Sequence, residues 1–178
     1  MTPRIVVIGP PGAGKTTIAG LVAERLGLPA RDTDADVEAT AGRPIPDIFV
    51  NDGEPAFRAL ERSAVSAALG GHEGVVSLGG GSVLDPETEA DLHRLSAGGS
   101  TSVVFLDVQV GDASRRIGLN VSRPLLIGNP RAQWIRLMGI RRPIYTRLAT
   151  HIVVTDDRTP ADVADEVVQV TTAGPTVE

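Results

Sequence analysis

Ile5-Val6-Val7-Ile8-Gly9-Pro10-Pro11-Gly12-Ala13-Gly14-Lys15-Thr16 is the stretch from which the fold can be read. Its first four residues are β-branched and apolar without alternation, the pattern of a strand buried on both faces of a parallel sheet. The period then changes. From Thr16 onward Ile18, Leu21, Val22, Ala23 and Leu26 recur at helical spacing, and Gly27 stands where a helix C-cap belongs. Between strand and helix, Gly9 to Thr16 fits G-x-x-x-x-G-K-[ST] at every fixed position. Glycines there let backbone N–H groups turn inward on a phosphate, and the helix N-terminus adds its dipole. Lys15 reaches the β- and γ-phosphates, and the Thr16 hydroxyl ligates Mg²⁺. A glycine turn that merely precedes a helix is the competing account, and the agreement of motif with setting weighs against it.

Outward from this stretch, strands and helices alternate. Leu28 to Asp32 is a short extended stretch, Ala35 to Ala41 a helix closed by Gly42, Asp47 to Asn51 a helix opened by Pro46, and Glu54 to Leu69 a longer helix. Gly74 to Leu78 is a second buried strand that empties into Gly79-Gly80-Gly81. Pro86 to Leu95 predicts a helix, Thr101 to Val108 a strand, and Ser114 onward a helix. Gly118 to Pro130, rich in glycine, proline and asparagine, reads as a lid, with about 112–130 as its outer limits. Arg131 to Ala149 predicts a helix interrupted at Pro143, His151 to Thr155 a strand and Pro160 to Val170 a helix. The pattern predicts an α/β fold of three layers, α/β/α, around a parallel sheet: the P-loop fold shared by NTPases and kinases, with a lid loop. One domain over residues 1–170 and a frayed tail over 171–178 are expected.

Composition narrows the classes. The 178 residues carry 17 Lys+Arg against 22 Asp+Glu, a net charge of −5, so no overall basic field favours nucleic acid or anionic lipid. With no cysteine there is no disulfide framework, thiolate metal site or cysteine nucleophile. No apolar run suggests a signal peptide or membrane span, and a cytoplasmic monomer acting on small molecules is expected. His72, His93 and His151 show no metal-ligand spacing.

The phosphate loop alone leaves the phosphoryl acceptor open, since GTPases, motor ATPases and small-molecule kinases share it. No Asn-Lys-x-Asp guanine reader is present, and the chain is too short for an elaborate motor. Asp32-Thr33-Asp34 places two carboxylates at the end of a short strand. One could sit beside Mg²⁺ and the other beside an incoming hydroxyl. For an isolated D-T-D an acidic turn capping the next helix is the better account, and the phosphate loop one element earlier strengthens the functional one.

The phosphate loop, Asp32-Thr33-Asp34, Gly53-Glu54 with Phe57-Arg58 and Glu61, Ser77-Leu78-Gly79-Gly80-Gly81, Arg123-Pro124-Leu125-Leu126 and Arg141-Arg142-Pro143 with Tyr145 together resemble the shikimate kinase family. Their order and spacing agree from about residue 4 to about residue 155. The resemblance implies transfer of the γ-phosphoryl group of ATP to a hydroxyl of shikimate, with Mg²⁺, in the pathway to chorismate and aromatic amino acids. It implies ATP contacts at Gly12, Ala13, Gly14, Lys15, Thr16 and Thr17, with Arg116 near adenine and Arg123 closing over the phosphates from the lid. Thr16 and Asp32 would serve the metal, Asp32 through water. Asp34 would contact the shikimate hydroxyls and act as base, making Lys15, Asp34 and Arg123 the catalytic set. Arg58 and Arg141 would grip the carboxylate, Phe49 and Phe57 would wall the ring, and Gly79, Gly80 and Gly81 would approach through backbone groups.

Plainer accounts accompany several of these residues. Arg58 and Glu61, three apart on one helix, could be a surface ion pair. Arg115, Arg116, Arg141 and Arg142 could be solvated helix faces, and Phe49 and Phe57 plain core. Ile140 stands where a basic residue often precedes the substrate arginine, which leaves Arg141 and Arg142 both open for the carboxylate. A gluconate kinase or nucleoside monophosphate kinase of the same fold is the nearest alternative, and a nucleotide-dependent switch is the alternative from another class.

Overall fold

The computed structural model describes residues 2–117 and 129–173. Among them five strands, Ile5–Ile8 (β1), Ala30–Asp32 (β2), Val75–Ser77 (β3), Ser102–Asp107 (β4) and His151–Val154 (β5), form one parallel sheet in the order β2-β3-β1-β4-β5. The unbroken apolar run of β1 fits its place at the centre: Val6 lies opposite Val76 on one side and Val103 on the other, and all three are fully buried.

Among the described residues eight helices accompany the strands: Lys15–Leu26 (α1), Thr33–Ala41 (α2), Ile45–Asn51 (α3), Glu54–Gly71 (α4), Pro86–Ala97 (α5), Val110–Ile117 (α6), Pro130–Leu148 (α7) and Pro160–Thr172 (α8). Right-handed crossovers put α1 on one face, where α8 packs against it, and bring α5 and α7 onto β4 from the other. Most buried apolar side chains belong to one core around the sheet. A separate small cluster of Val37, Ile48 and Phe57 holds α2, α3 and α4 together.

The chain first leaves β1 toward β2 and later passes from β3 to β4 on the other side of β1, so the strand order reverses beside β1. Ligands of open α/β sheets bind at such a reversal, outside the carboxyl ends of the strands. The phosphate loop, Asp32, Gly79 to Gly81 and the loop after β5 all lie at those ends.

Four departures from the sequence expectation have a cause in the structure. α2 begins at Thr33 because the Asp32 carboxylate caps it, accepting from the Asp34 and Ala35 N–H groups at 2.9 and 3.3 Å. α6 begins at Val110 rather than Ser114, with Asp112 in its first turn accepting from the Asp157 N–H at 2.8 Å, so residues 112–117 are helix rather than lid. α7 is not interrupted at Pro143: the missing N–H forfeits a bond to Gly139, but Arg142 and Tyr145 on either side are fixed by tertiary contacts. α8 runs to Thr172, past the expected fray point, with the Thr171 and Thr172 hydroxyls donating to the Val167 and Val168 carbonyls at 2.7 Å. A 3₁₀ turn at Ser82–Leu84, unmarked in the sequence reading, follows the three glycines.

Candidate active site

The phosphate loop is shaped by glycine where no other residue fits. Gly12 and Gly14 both have φ near 85°, and a Cβ on Gly9 would come within 2.7 Å of the Leu106 carbonyl oxygen. Side chains cap α2, α5, α7 and α8, whereas α1 starts at Gly14 with no side-chain cap and no acidic residue in its first turn. Its leading N–H groups and positive dipole end are therefore left for an anion. Lys15 curls back to donate to the Pro10 carbonyl at 3.1 Å, which holds its ammonium over the loop.

These residues open onto a cavity of about 450 Å³ lined by Gly12 to Ile18, Asp32, Asp34 and Gly80. The Thr16 hydroxyl donates to Asp32 Oδ2 at 2.5 Å while Oδ1 caps α2, so Asp32 is a helix cap whose second oxygen faces the phosphate loop. On the far wall Arg116 donates to Thr155 Oγ1 at 2.8 Å and to the Thr155 carbonyl, and comes within 3.5 Å of the Gly12 carbonyl. Arg158, Pro160 and Val163 complete this wall. The sequence reading missed them, although they lie in and after the loop that follows β5, where the reversal rule would have directed attention.

Asp34 belongs to the same cavity and also faces a second group of charges. Glu61, only 4% exposed, accepts from Arg58 Nη1 at 2.7 Å and lies in the field of Asp34 and Arg141. Burial pushes the Glu61 carboxyl above its ordinary range, and Arg58 opposes that rise. Glu54 holds the other edge of the Arg58 fork, at 3.2 Å from Nε and 3.0 Å from Nη2. With Glu61 buried, this is no surface ion pair. The Arg58 guanidinium also sits 5.2 Å from the centre of the Phe57 ring, and Phe57 packs on Phe49 with centroids 4.6 Å apart. Phe57 is thus chiefly core of the α2–α4 cluster, with Phe49 half-buried beside it.

Arg141 and Arg142 separate cleanly. Arg142 donates to Asp107 at 3.0 Å and to the Val108 carbonyl at 3.3 Å, closing the end of β4. Arg141 is buried beside Tyr145 and Glu61, on the acceptor side. Neither is a solvated helix face; Arg115, paired with Asp112 and Asp157, comes nearest to one.

Two of the three glycines leave room for the protein's own charged side chains. A Cβ on Gly79 would lie 2.6 Å from Asp34 Oδ1 and 2.7 Å from Glu61 Oε1, and one on Gly81 would land on the Arg58 guanidinium. A Cβ on Gly80 would instead crowd the Gly9 carbonyl oxygen at 3.3 Å and Pro11 Cδ at 3.4 Å. Thr33, fully buried, accepts from the Gly79 N–H at 3.1 Å and donates to the Ser77 carbonyl at 3.3 Å, pinning the two acidic residues to this turn. Arg123 and the segment 118–128 lie outside the described residues.

A phosphate-binding loop at the reversal of a parallel sheet, with a carboxylate shared between its cavity and a pocket of held arginines, defines a nucleotide-dependent phosphotransferase. The family model for shikimate kinase matches residues 11–172. Shikimate kinase of Streptomyces avermitilis is 52% identical over 167 residues, covering 93% of each chain. That of Salinispora arenicola is 53% identical over 167 residues, covering 94% of this chain and 96% of the relative. Shikimate kinase from Acinetobacter baumannii, solved in complex with shikimate, superposes with a TM-score of 0.90 at 29% identity, covering 99% of this chain and 96% of that one. The chain belongs to the shikimate kinase family.

Proposed function

We propose that this protein transfers the γ-phosphoryl group of ATP to the 3-hydroxyl of shikimate, giving shikimate 3-phosphate and ADP, with residues 1–170 acting as one kinase domain. The observation that carries the reading is the position of Asp34. It lines the phosphate cavity and at the same time faces Glu61, which holds Arg58 and lies beside Arg141. A hydroxyl next to Asp34 on a carboxylate-bearing ring held by two guanidinium groups would be presented to the phosphate loop, and planar forks suit a carboxylate.

The reaction asks for positioning and charge neutralisation more than for covalent chemistry. The loop N–H groups and Lys15 hold the β- and γ-phosphates, Asp34 orients and deprotonates the acceptor hydroxyl, and Arg58 and Arg141 fix the ring. Arg116, Arg158 and Pro160 form the nucleoside end of the cavity. Arg123 is assigned to closure over the phosphates by family resemblance. Thr16 and Asp32 offer two hard oxygen donors of the kind Mg²⁺ takes together with phosphate oxygens and water. Bound there, Mg²⁺ would offset negative charge on the phosphates.

The test measures ADP release from ATP and Mg²⁺ with shikimate, gluconate or a nucleoside monophosphate as acceptor. Stimulation by shikimate alone is the expected result. Stimulation by another acceptor would keep the nucleotide site and discard the roles of Arg58, Arg141 and Asp34, and ATP binding with no acceptor dependence would favour a switch.

A further inference from the structure

Helix α7 touches both halves of the site at once. Trp134, 4% exposed, donates from its indole N–H to the Pro11 carbonyl of the phosphate loop at 3.0 Å. Tyr145, fully buried, donates from its hydroxyl to the Gly80 carbonyl of the acceptor turn at 2.5 Å. Trp134, Arg141 and Tyr145 stand at i, i+7 and i+11, which places them on one face of the helix, with about 16 Å along the axis between the two aromatic anchors.

Each anchor is itself held. The Tyr145 ring stacks on Phe105 of β4 with centroids 5.0 Å apart, and its hydroxyl is within hydrogen-bonding reach of Arg141. A Cβ on Gly80, whose carbonyl it holds, would come within 3.3 Å of the Gly9 carbonyl oxygen and 3.4 Å of Pro11 Cδ, so this turn lies close to the segment that Trp134 holds from the other end. The two turns and the helix thus form a closed loop of contacts. Moving α7 relative to either turn breaks a part-buried hydrogen bond, and leaving the donor of a buried aromatic side chain unsatisfied is costly.

We propose that α7 is the strut that sets the spacing between the phosphate loop and the acceptor pocket, with Trp134 and Tyr145 as positioning residues that act through Pro11, Gly80 and Arg141. The idea rests on the kinase reading above and deepens it: geometry between donor and acceptor is fixed from outside both substrates. Neither residue needs to touch a reacting atom.

The test uses the full chain and two variants. Tyr145→Phe keeps the ring and removes the hydroxyl; its KM for shikimate should rise about tenfold, equivalent to about 1.4 kcal/mol, while the KM for ATP stays within about twofold. Trp134→Phe removes the indole N–H and should give the opposite split, with the KM for ATP rising about fivefold. Amide hydrogen exchange over Gly79 to Ser82, measured without substrates, should quicken in Tyr145→Phe. Unchanged constants in both variants, or parallel losses in both KM values that track a lowered Tm, would overturn the proposal. If Tyr145→Phe does not fold, the Trp134→Phe split decides alone. If the wild-type chain shows no shikimate-dependent turnover, the functional reading fails by itself. The exchange experiment then decides the strut, with faster exchange sustaining it and unchanged exchange overturning it.

Discussion

Two adjacent arginines with opposite duties show how much a single position matters in this site. Arg142 closes β4 through Asp107, whereas Arg141 faces Glu61 and the acceptor pocket. Arg141→Ala should therefore lower kcat/KM for shikimate about tenfold to a hundredfold, alongside a fall in Tm as buried Glu61 and Tyr145 lose a neighbour. Arg142→Ala should leave the kinetic constants within about twofold but cost about 1–3 kcal/mol of stability, because the half-buried Asp107 loses its partner. Equal kinetic losses in the two variants would contradict this division. Tyr145 allows a pH test, since it is the chain's one tyrosine. Burial pushes its hydroxyl up to about 12, against 10 when solvated. The folded state keeps a proton that the unfolded state releases, so this contribution to stability is fully present below pH 10 and is lost as the pH rises toward 12. Tyrosinate absorbance should develop about two units later in the native protein than in denaturant, and coincident titrations would show that the hydroxyl is not held.

The turn after β3 shows best what the sequence could and could not convey. A buried strand running into Gly79-Gly80-Gly81 signals close approach by something, and the resemblance made that something the substrate. The structure puts Asp34, Glu61 and Arg58 there first. Gly79→Ala should accordingly lose most activity even with both substrates saturating, because the Cβ displaces Asp34 itself; retained kcat in a folded variant would refute that crowding. The strand, turn and helix of the phosphate loop were legible because each carries a local signal: β-branched run, glycines, helical spacing. Asp32 was legible only as a choice between cap and site, since one carboxylate has two oxygens and uses them separately. Nothing local in sequence separates Arg141 from Arg142, whose difference comes from helical phase against β4 and α4. The start of α6 and the continuity of α7 through Pro143 were hidden for the same reason, as tertiary contacts overrode propensity.

For the molecule as a whole, the sheet supplies the platform and the loops at its carboxyl edge supply the chemistry. Ile8, buried at the end of β1 just before the phosphate loop, couples the two. Ile8→Ala should cost about 2–5 kcal/mol of stability, read by denaturant unfolding. A loss below about 1 kcal/mol would mean that the core collapses around the gap. The small cluster of Val37, Ile48 and Phe57 behaves differently, because it stands apart from the main core and belongs to the elements that carry Asp34, Arg58 and Glu61. So small a nucleus gives α2, α3 and the first turns of α4 a lower opening free energy than the sheet, whereas Val65, Ala68 and Leu69 tie the rest of α4 to the main core. Shikimate bound there would hold that segment shut by mass action, protecting from proteolysis a part of the fold that lies within residues 33–71.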